Sequence, residues 1–352
     1  MMIHSMHVMK YMKKWLVGCL LFMSFSSVGQ DVHFSQYDRA PLMVNPALTG
    51  VFPGNHRAMI NYRDQWAGVA PFKTYGLAYD AAILRRKLNN KFLGVGLMAF
   101  KDEAGDTHLS TTQVNISVSS VIAINNRQDI SAGIQGGFAQ RSIDVGALRW
   151  GAEYEENIGY QAIPGFDIDY ENFSYGDFSA GLAWSYSSGE TNMTSNDQLN
   201  VTAGVALYHL NQPAQLFDEE VLHQQIVAHA GASIGIKNTN LAFAPSVLYL
   251  RQGPLSEINV GGLIRYTLRE ESRHTGLLKE KALYLGSYYR VGDALIPTLI
   301  LEIASYSVGF SYDLNISALK AATKGKGGFE ISLRYISPHS PNAGKYKHRS
   351  LI

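Results

Sequence analysis

From Asn55 to Ile336 the chain alternates apolar and polar positions in one segment after another. Between Ser305 and Leu314, one set of positions holds Tyr306, Val308, Phe310, Tyr312 and Leu314. The other holds Ser305, Ser307, Gly309, Ser311 and Asp313. Successive side chains of a strand point to opposite faces, so this segment has one apolar face and one small, polar face. The same period of two runs through Phe329 to Tyr335, Tyr75 to Ala81, Val114 to Val118, Phe178 to Tyr186 and Ile258 to Leu268. It predicts about fourteen antiparallel strands. They fall near 56-66, 73-83, 91-101, 108-123, 128-140, 177-188, 199-210, 223-237, 240-251, 256-269, 280-290, 295-303, 305-315 and 328-336. Pro245 and Pro297 each remove a ladder donor from the strand that carries them.

Alternation alone does not separate a soluble sandwich from a membrane barrel. The strands run about 9 to 14 residues, nearer the length a tilted membrane strand needs than the usual 5 or 6. Their polar face is built from Ser, Gly and Asn with isolated Arg, Asp and Glu, as a lumen requires. Aromatics gather near strand ends, at Tyr62, Trp66, Tyr266, Tyr288, Tyr289, Tyr306 and Tyr335, where interface belts form. The expected fold is therefore an all-β transmembrane antiparallel barrel. An even strand count is expected to leave both termini periplasmic. Phe310 then faces lipid and Ser311 the lumen, so Arg is expected to cost more at 310 than at 311. The connection from Arg141 to Gly176 is the longest on the predicted extracellular side, where loops carry function.

Composition sharpens the picture at three points. The mean hydropathy of -0.07 looks soluble, but lipid-facing and lumen-facing residues average out along a barrel strand. The first thirty residues read as a signal peptide: Lys10, Lys13 and Lys14 precede the apolar run Trp15 to Phe25, and Ser27-Val28-Gly29 supplies small residues for cleavage. Cys19 is the single Cys and lies in this leader, which removes disulfides, thiolate metal sites and Cys nucleophiles from the mature chain. The leader carries three of the 30 basic residues and none of the 29 acidic ones. The mature chain is thus nearly neutral, which argues against a nucleic-acid partner.

Candidate chemistry is sparse. His223 and His229 would share a face of one strand with six residues between them, roughly 20 Å, too far to grip one ion together with His209. Asp167, Asp169 and Glu171 alternate in the long loop and suit a solvated acidic stretch better than a calcium site. Gly94-Val95-Gly96 lacks the strand-to-helix setting of a nucleotide loop. No nucleophile with a facing base stands out, so the expectation is no catalytic residue, no metal and no cofactor. The element that draws attention is Asn45-Pro46-Ala47-Leu48-Thr49-Gly50, whose Asn-Pro and Thr-Gly pairs are turn chemistry. Lying before the first strand, it could fold into the lumen as a plug or dock a partner.

The run Asp31-Val32-His33-Phe34-Ser35-Gln36-Tyr37, followed by Pro41 to Gly50, resembles the PorP/SprF family of outer-membrane proteins. That family serves the type IX secretion and gliding-motility machinery of Bacteroidetes. Similar stretches follow in order: Tyr62-Arg63-Asp64-Gln65-Trp66, Tyr208 to Pro213, Ala244-Pro245-Ser246, Tyr288-Tyr289-Arg290 with Asp293, Phe310 to Asp313, and Gly328 to Ile331. Phe329 stands where the family commonly has His. The resemblance implies a cell outer-membrane barrel without enzymatic activity. It would contact outer-membrane lipid together with type IX components such as a periplasmic ring lipoprotein, adhesin-like cargo, or both. The main alternative is a solute-transporting porin. Four parts are expected: a signal peptide at 1-30, a periplasmic or lumen-plugging segment at 31-54, the barrel at 55-336 and a periplasmic tail at 337-352. Asn45, Pro46, Ala47, Gly50, Arg63 and Trp66 are the candidate plug or partner-binding residues.

Overall fold

The computed structural model describes residues 31-66, 71-84, 91-105, 107-144, 154-155, 159-160, 172-189, 196-214, 221-269, 279-318 and 320-337. Residues 1-30, where a leader is expected, the residues beyond Ser337 and the acidic trio Asp167, Asp169 and Glu171 lie outside these residues.

The strands are β1 (His56–Gln65), β2 (Phe72–Ile83), β3 (Lys91–Ala104), β4 (Leu109–Asn125) and β5 (Gln128–Ser142). A small hairpin follows, β6 (Tyr154–Glu155) with β7 (Gly159–Tyr160). The series resumes with β8 (Phe173–Ser188), β9 (Leu199–Tyr208), β10 (Gln225–Gly235), β11 (Leu241–Gln252) and β12 (Leu255–Arg269). It ends with β13 (Lys281–Arg290), β14 (Ala294–Ile303), β15 (Tyr306–Asn315) and β16 (Lys326–Ile336). All except β6 and β7 join in one closed antiparallel barrel of fourteen strands, sealed where Ile60 pairs with Leu333. Closure leaves no edge with unpaired amides, which is what a sheet in hydrocarbon requires.

The alternation in sequence becomes inside and outside. In β15, Val308 and Phe310 turn outward while Ser307, Ser311 and Asp313 are buried inward. Leu77, Leu97, Ile116, Ile134, Leu182 and Leu285 lie at least half exposed on the outer wall, forming the apolar surface that lipid covers. Among the described residues no helix is long and apolar enough to cross a membrane.

Three details differ from the sequence reading. β11 and β14 run straight through Pro245 and Pro297, which pair with Gly262 and Ser287. Each proline gives up one donor while its neighbours hold the register. Strands β5 and β8 extend to Ser142 and from Phe173, so the long connection is 143-172. Tyr288 is not part of an outer aromatic belt: it points inward, 2% exposed, with its ring edge-on to Tyr37 at 5.6 Å.

The inner wall is not uniformly polar. In β14, Ile296 and Ile300 face inward and are fully buried, although Leu295, Leu299 and Leu301 of the same strand are exposed outward. A strand apolar on both faces needs a dry partner on both, and the interior partner is the chain that precedes β1.

Candidate functional site

Residues Phe34 to Phe52 lie inside the barrel, nearly all of them buried. Short turns make this segment compact. A 3-10 turn covers Tyr37–Arg39, one helical turn follows at Pro41–Val44, and a second 3-10 turn sits at Pro46–Leu48. The second is explained by its sequence. Asn45 Oδ1 accepts the Ala47 N–H at 2.9 Å as an N-cap, and Pro46 fills the first position, where no donor is needed. Gly50 ends the run at φ +73, a conformation glycine adopts without cost.

One wall receives this turn by close backbone approach. The Asn45 amide donates to the carbonyls of Leu182 at 3.0 Å and Val205 at 3.2 Å, and its nitrogen lies 3.1 Å from His229 Nε2. Such proximity is possible because the wall carries glycines there. A Cβ on Gly133 would stand 2.4 Å from the Pro46 carbonyl. One on Gly181 would stand 2.0 Å from Asn45 Oδ1, and one on Gly94 2.1 Å from the Thr49 carbonyl. Further down, Ser119 Oγ donates to the Thr49 carbonyl at 2.6 Å, and the Gly50 N–H donates to Asp80 at 2.8 Å. Asp80 is paired with Arg57 at 2.7 Å, and the Arg57 guanidinium lies 4.6 Å over the Phe52 ring.

The other wall holds the start of the segment by charge. Glu330 accepts the N–H groups of Ser35 at 2.8 Å and Gln36 at 2.9 Å. Ser35 Oγ donates to Asp313 at 2.9 Å and receives Arg290 at 2.7 Å. Arg63 pairs with Asp313 at 2.9 Å and donates to the His33 carbonyl. His33 in turn sits 3.1 Å from Glu257. Each charge is answered by an opposite charge or by backbone, the condition under which buried ions persist. Between the two walls, Leu42 packs with Met59 and Met98, while Tyr37 and Val44 join a cluster with Leu248, Tyr288, Ile296 and Ile300. A cavity of about 70 Å³ remains beside the segment, lined in part by Tyr37, Val44, Thr202, His229 and Ser246.

Of the residues singled out in the sequence, Asn45, Pro46, Ala47 and Gly50 come together in the lumen. Arg63 belongs to the ionic cluster at the other end of the segment. Trp66 stands apart, half-buried just past β1 at φ +50, with its backbone N–H on the Gly327 carbonyl and its ring edge-on to Phe72. The three histidines disperse. His209 is buried against Asp177 at 3.0 Å, and His229 meets Asn45. His223 does not share a face with His229, because it precedes β10 and is exposed. Sequence reasoning missed Ser35, Gln36, Tyr37 and Arg39 on the segment, Asp313, Glu330 and Arg290 as wall partners of Ser35 and Gln36, and Asp80 as the wall partner of Gly50. The available signal was charge on the polar face of an alternating strand, repeated near the ends of several strands.

Among curated proteins nothing matches this chain. Among solved structures it is similar to the Ralstonia pickettii toluene transporter TbuX, at 12% identity and a TM-score of 0.46, covering 85% of this chain and 94% of that one. It is similar also to the P. putida toluene transporter TodX, at 11% identity and a TM-score of 0.42, covering 86% and 95%. BamA from Haemophilus ducreyi gives 9% identity and a TM-score of 0.41, covering 81% and 70%. The model of one family, described as type IX secretion system membrane protein PorP/SprF, matches residues 26-335. A closed barrel with an apolar outer wall, matched by that model over nearly its whole length, places this chain in the outer membrane as a member of the PorP/SprF family of type IX secretion.

Proposed function

We propose that this chain is a non-enzymatic adaptor barrel. In this reading it assists the secretion or surface retention of particular large, adhesin-like cargo, or links the translocon to a periplasmic ring lipoprotein, while residues 31-54 serve as a resident plug. The observation that carries the reading is the segment from Phe34 to Phe52, buried inside the barrel. An inner wall occupied by its own chain suits a protein that offers surfaces to partners rather than a passage. Among the described residues, the cavity of about 70 Å³ beside the segment has room for a few waters. A lumen of fourteen strands is also narrower than that of the 16-18-stranded porins, which leave only an aqueous channel.

Two measurements test this. Purified protein in planar bilayers should show no steady conductance, and deletion of the gene should abolish export or surface retention of one or a few large surface proteins while other type IX cargo still leaves the cell. Exchange of residues 141-176 for a paralogue's loop should redirect cargo without disturbing assembly. Loss of all type IX secretion on deletion would instead assign the ring-linking role. Unaffected secretion with reduced small-solute uptake would replace the adaptor with the porin reading.

A further inference from the structure

The even strand count puts the start of β1 and the end of β16 on one rim: the His56 N–H donates to Ser337 Oγ at 3.1 Å and the Ser337 N–H to the His56 carbonyl at 2.8 Å. Val32 does not share that rim. Its neighbours bond to Arg63 near the end of β1, Arg290 at the end of β13, Asp313 near the end of β15, Glu257 near the start of β12 and Glu330 near the start of β16. In an antiparallel barrel those five positions all lie at the opposite rim.

The path between the rims can be read from contacts along single strands. Ser35 bonds to Asp313, Gln36 to Ser311 and Arg39 to Ser307, so the segment descends β15 against the strand's direction. It continues past Ser117 and Ser119 of β4 through Thr49, reaches Asp80 near the end of β2 through Gly50, and meets Ala82 at Asn55. The chain thus crosses the whole lumen once before its first strand begins, and the strands then close around it.

The two rims differ in their connections. The rim bearing Val32 carries the two longest, 143-172 between β5 and β8 and 209-224 between β9 and β10, beside a tight turn at 253-254, whereas the longest on the rim bearing His56 are 189-198 and 270-280. The rim bearing His56 has tight turns at Asn126-Arg127 and Ala304-Ser305. Outer-membrane barrels keep short turns in the periplasm and longer loops outside.

We propose that the amino-terminal end of the mature chain opens at the outer face of the membrane, having threaded the lumen from one rim to the other. Both ends of the mature chain are then not periplasmic; only the carboxyl end is. This goes beyond the adaptor reading and does not depend on it, since it concerns orientation and not cargo.

The sequence makes the test direct. Cys19 is the single Cys and lies in the expected leader, so an introduced Cys is unique in a chain cleaved after that leader. Three single variants are compared: Val32→Cys, Ala214→Cys on the loop-bearing rim, and Arg127→Cys in a tight turn of the other rim. Each is treated on intact cells with a PEG-maleimide too bulky for porins. Val32→Cys and Ala214→Cys should be labelled on intact cells, and Arg127→Cys only after the outer membrane is permeabilised. Labelling of Val32→Cys only after permeabilisation overturns the proposal. So does a reversed barrel, with Arg127→Cys labelled on intact cells and Ala214→Cys hidden. Heat-modifiable mobility on gels reports whether each variant has closed its barrel. If Val32→Cys disturbs closure or stays unlabelled, an epitope inserted between Asp31 and Val32 decides: antibody binding to intact cells sustains the proposal, and binding only after permeabilisation overturns it.

Discussion

The segment before β1 is held by two walls that work differently. On the wall of β3, β5, β8 and β9, glycines open space, and the segment's turn meets backbone with backbone or with one amide. On the wall of β1, β12, β13, β15 and β16, long charged side chains reach in and grip the amides, carbonyl and hydroxyl of residues 33-36. The first wall recognises shape and the second recognises charge. The difference teaches where each is sensitive: added volume harms one, and a missing charge harms the other.

The largest effect is expected on the charged wall. Asp313→Ala leaves Arg63 and Arg290 without their shared carboxylate and should cost about 3–5 kcal/mol. The unfolding midpoint of the purified barrel checks this. If Asp313→Ala unfolds like the outward-facing control Leu314→Ala, the charged wall is not structural. Next comes the outer surface as reference. Phe310→Arg should cost about 2–4 kcal/mol near the midplane. Ser311→Arg is not the mild change the alternation suggests, because Ser311 is buried 3.1 Å from Gln36 Nε2 and an Arg there must push the segment aside. Protease sensitivity of the segment, compared between these two variants, separates lipid-side from lumen-side damage.

On the glycine wall, Gly133→Ala should destabilise by about 1–3 kcal/mol through overpacking, opposite in sign to the usual gain from replacing a strand glycine. Gly136→Ala, whose Cβ meets only the Phe178 ring at 3.2 Å, is the control and should be milder. Equal stabilities for the two would show that the segment does not press on this wall. Asn45→Ala removes the cap and should cost about 0.5–2 kcal/mol, while Asn45→Asp keeps the cap acceptor but loses the donations to Leu182 and Val205. A midpoint for Asn45→Asp equal to wild type would make the cap the whole role. The smallest change is Tyr37→Phe, which loses one hydrogen bond to Ser246 at 2.6 Å and should cost about 0.5–1.5 kcal/mol. Its ring packing on Tyr288 is kept, so a larger loss would mean that the hydroxyl organises more than its own bond.

Much was legible in the sequence for a physical reason. A strand repeats every two residues, so Val308, Phe310 and Tyr312 declare one face by themselves, and their partners Ser307, Ser311 and Asp313 declare the other. The strand number and the barrel class followed from that local rule, repeated along the chain and seen again in the closed sheet. Tyr288 escaped the rule because an aromatic near a strand end fits a lipid belt or an interior equally well until the interior is known to be filled.

What the sequence by itself determined is therefore the wall: its strands, their faces and their order. What only the tertiary structure decided is the content and direction of the lumen. Residues 32-55 carry no long periodic pattern, and their turns say nothing of which wall they meet. Glu330 lies 295 positions from Ser35, and Gly133, Gly181 and Gly94 lie on three different strands. Such contacts exist only after closure brings distant strands around one axis, and no local preference in the chain encodes them.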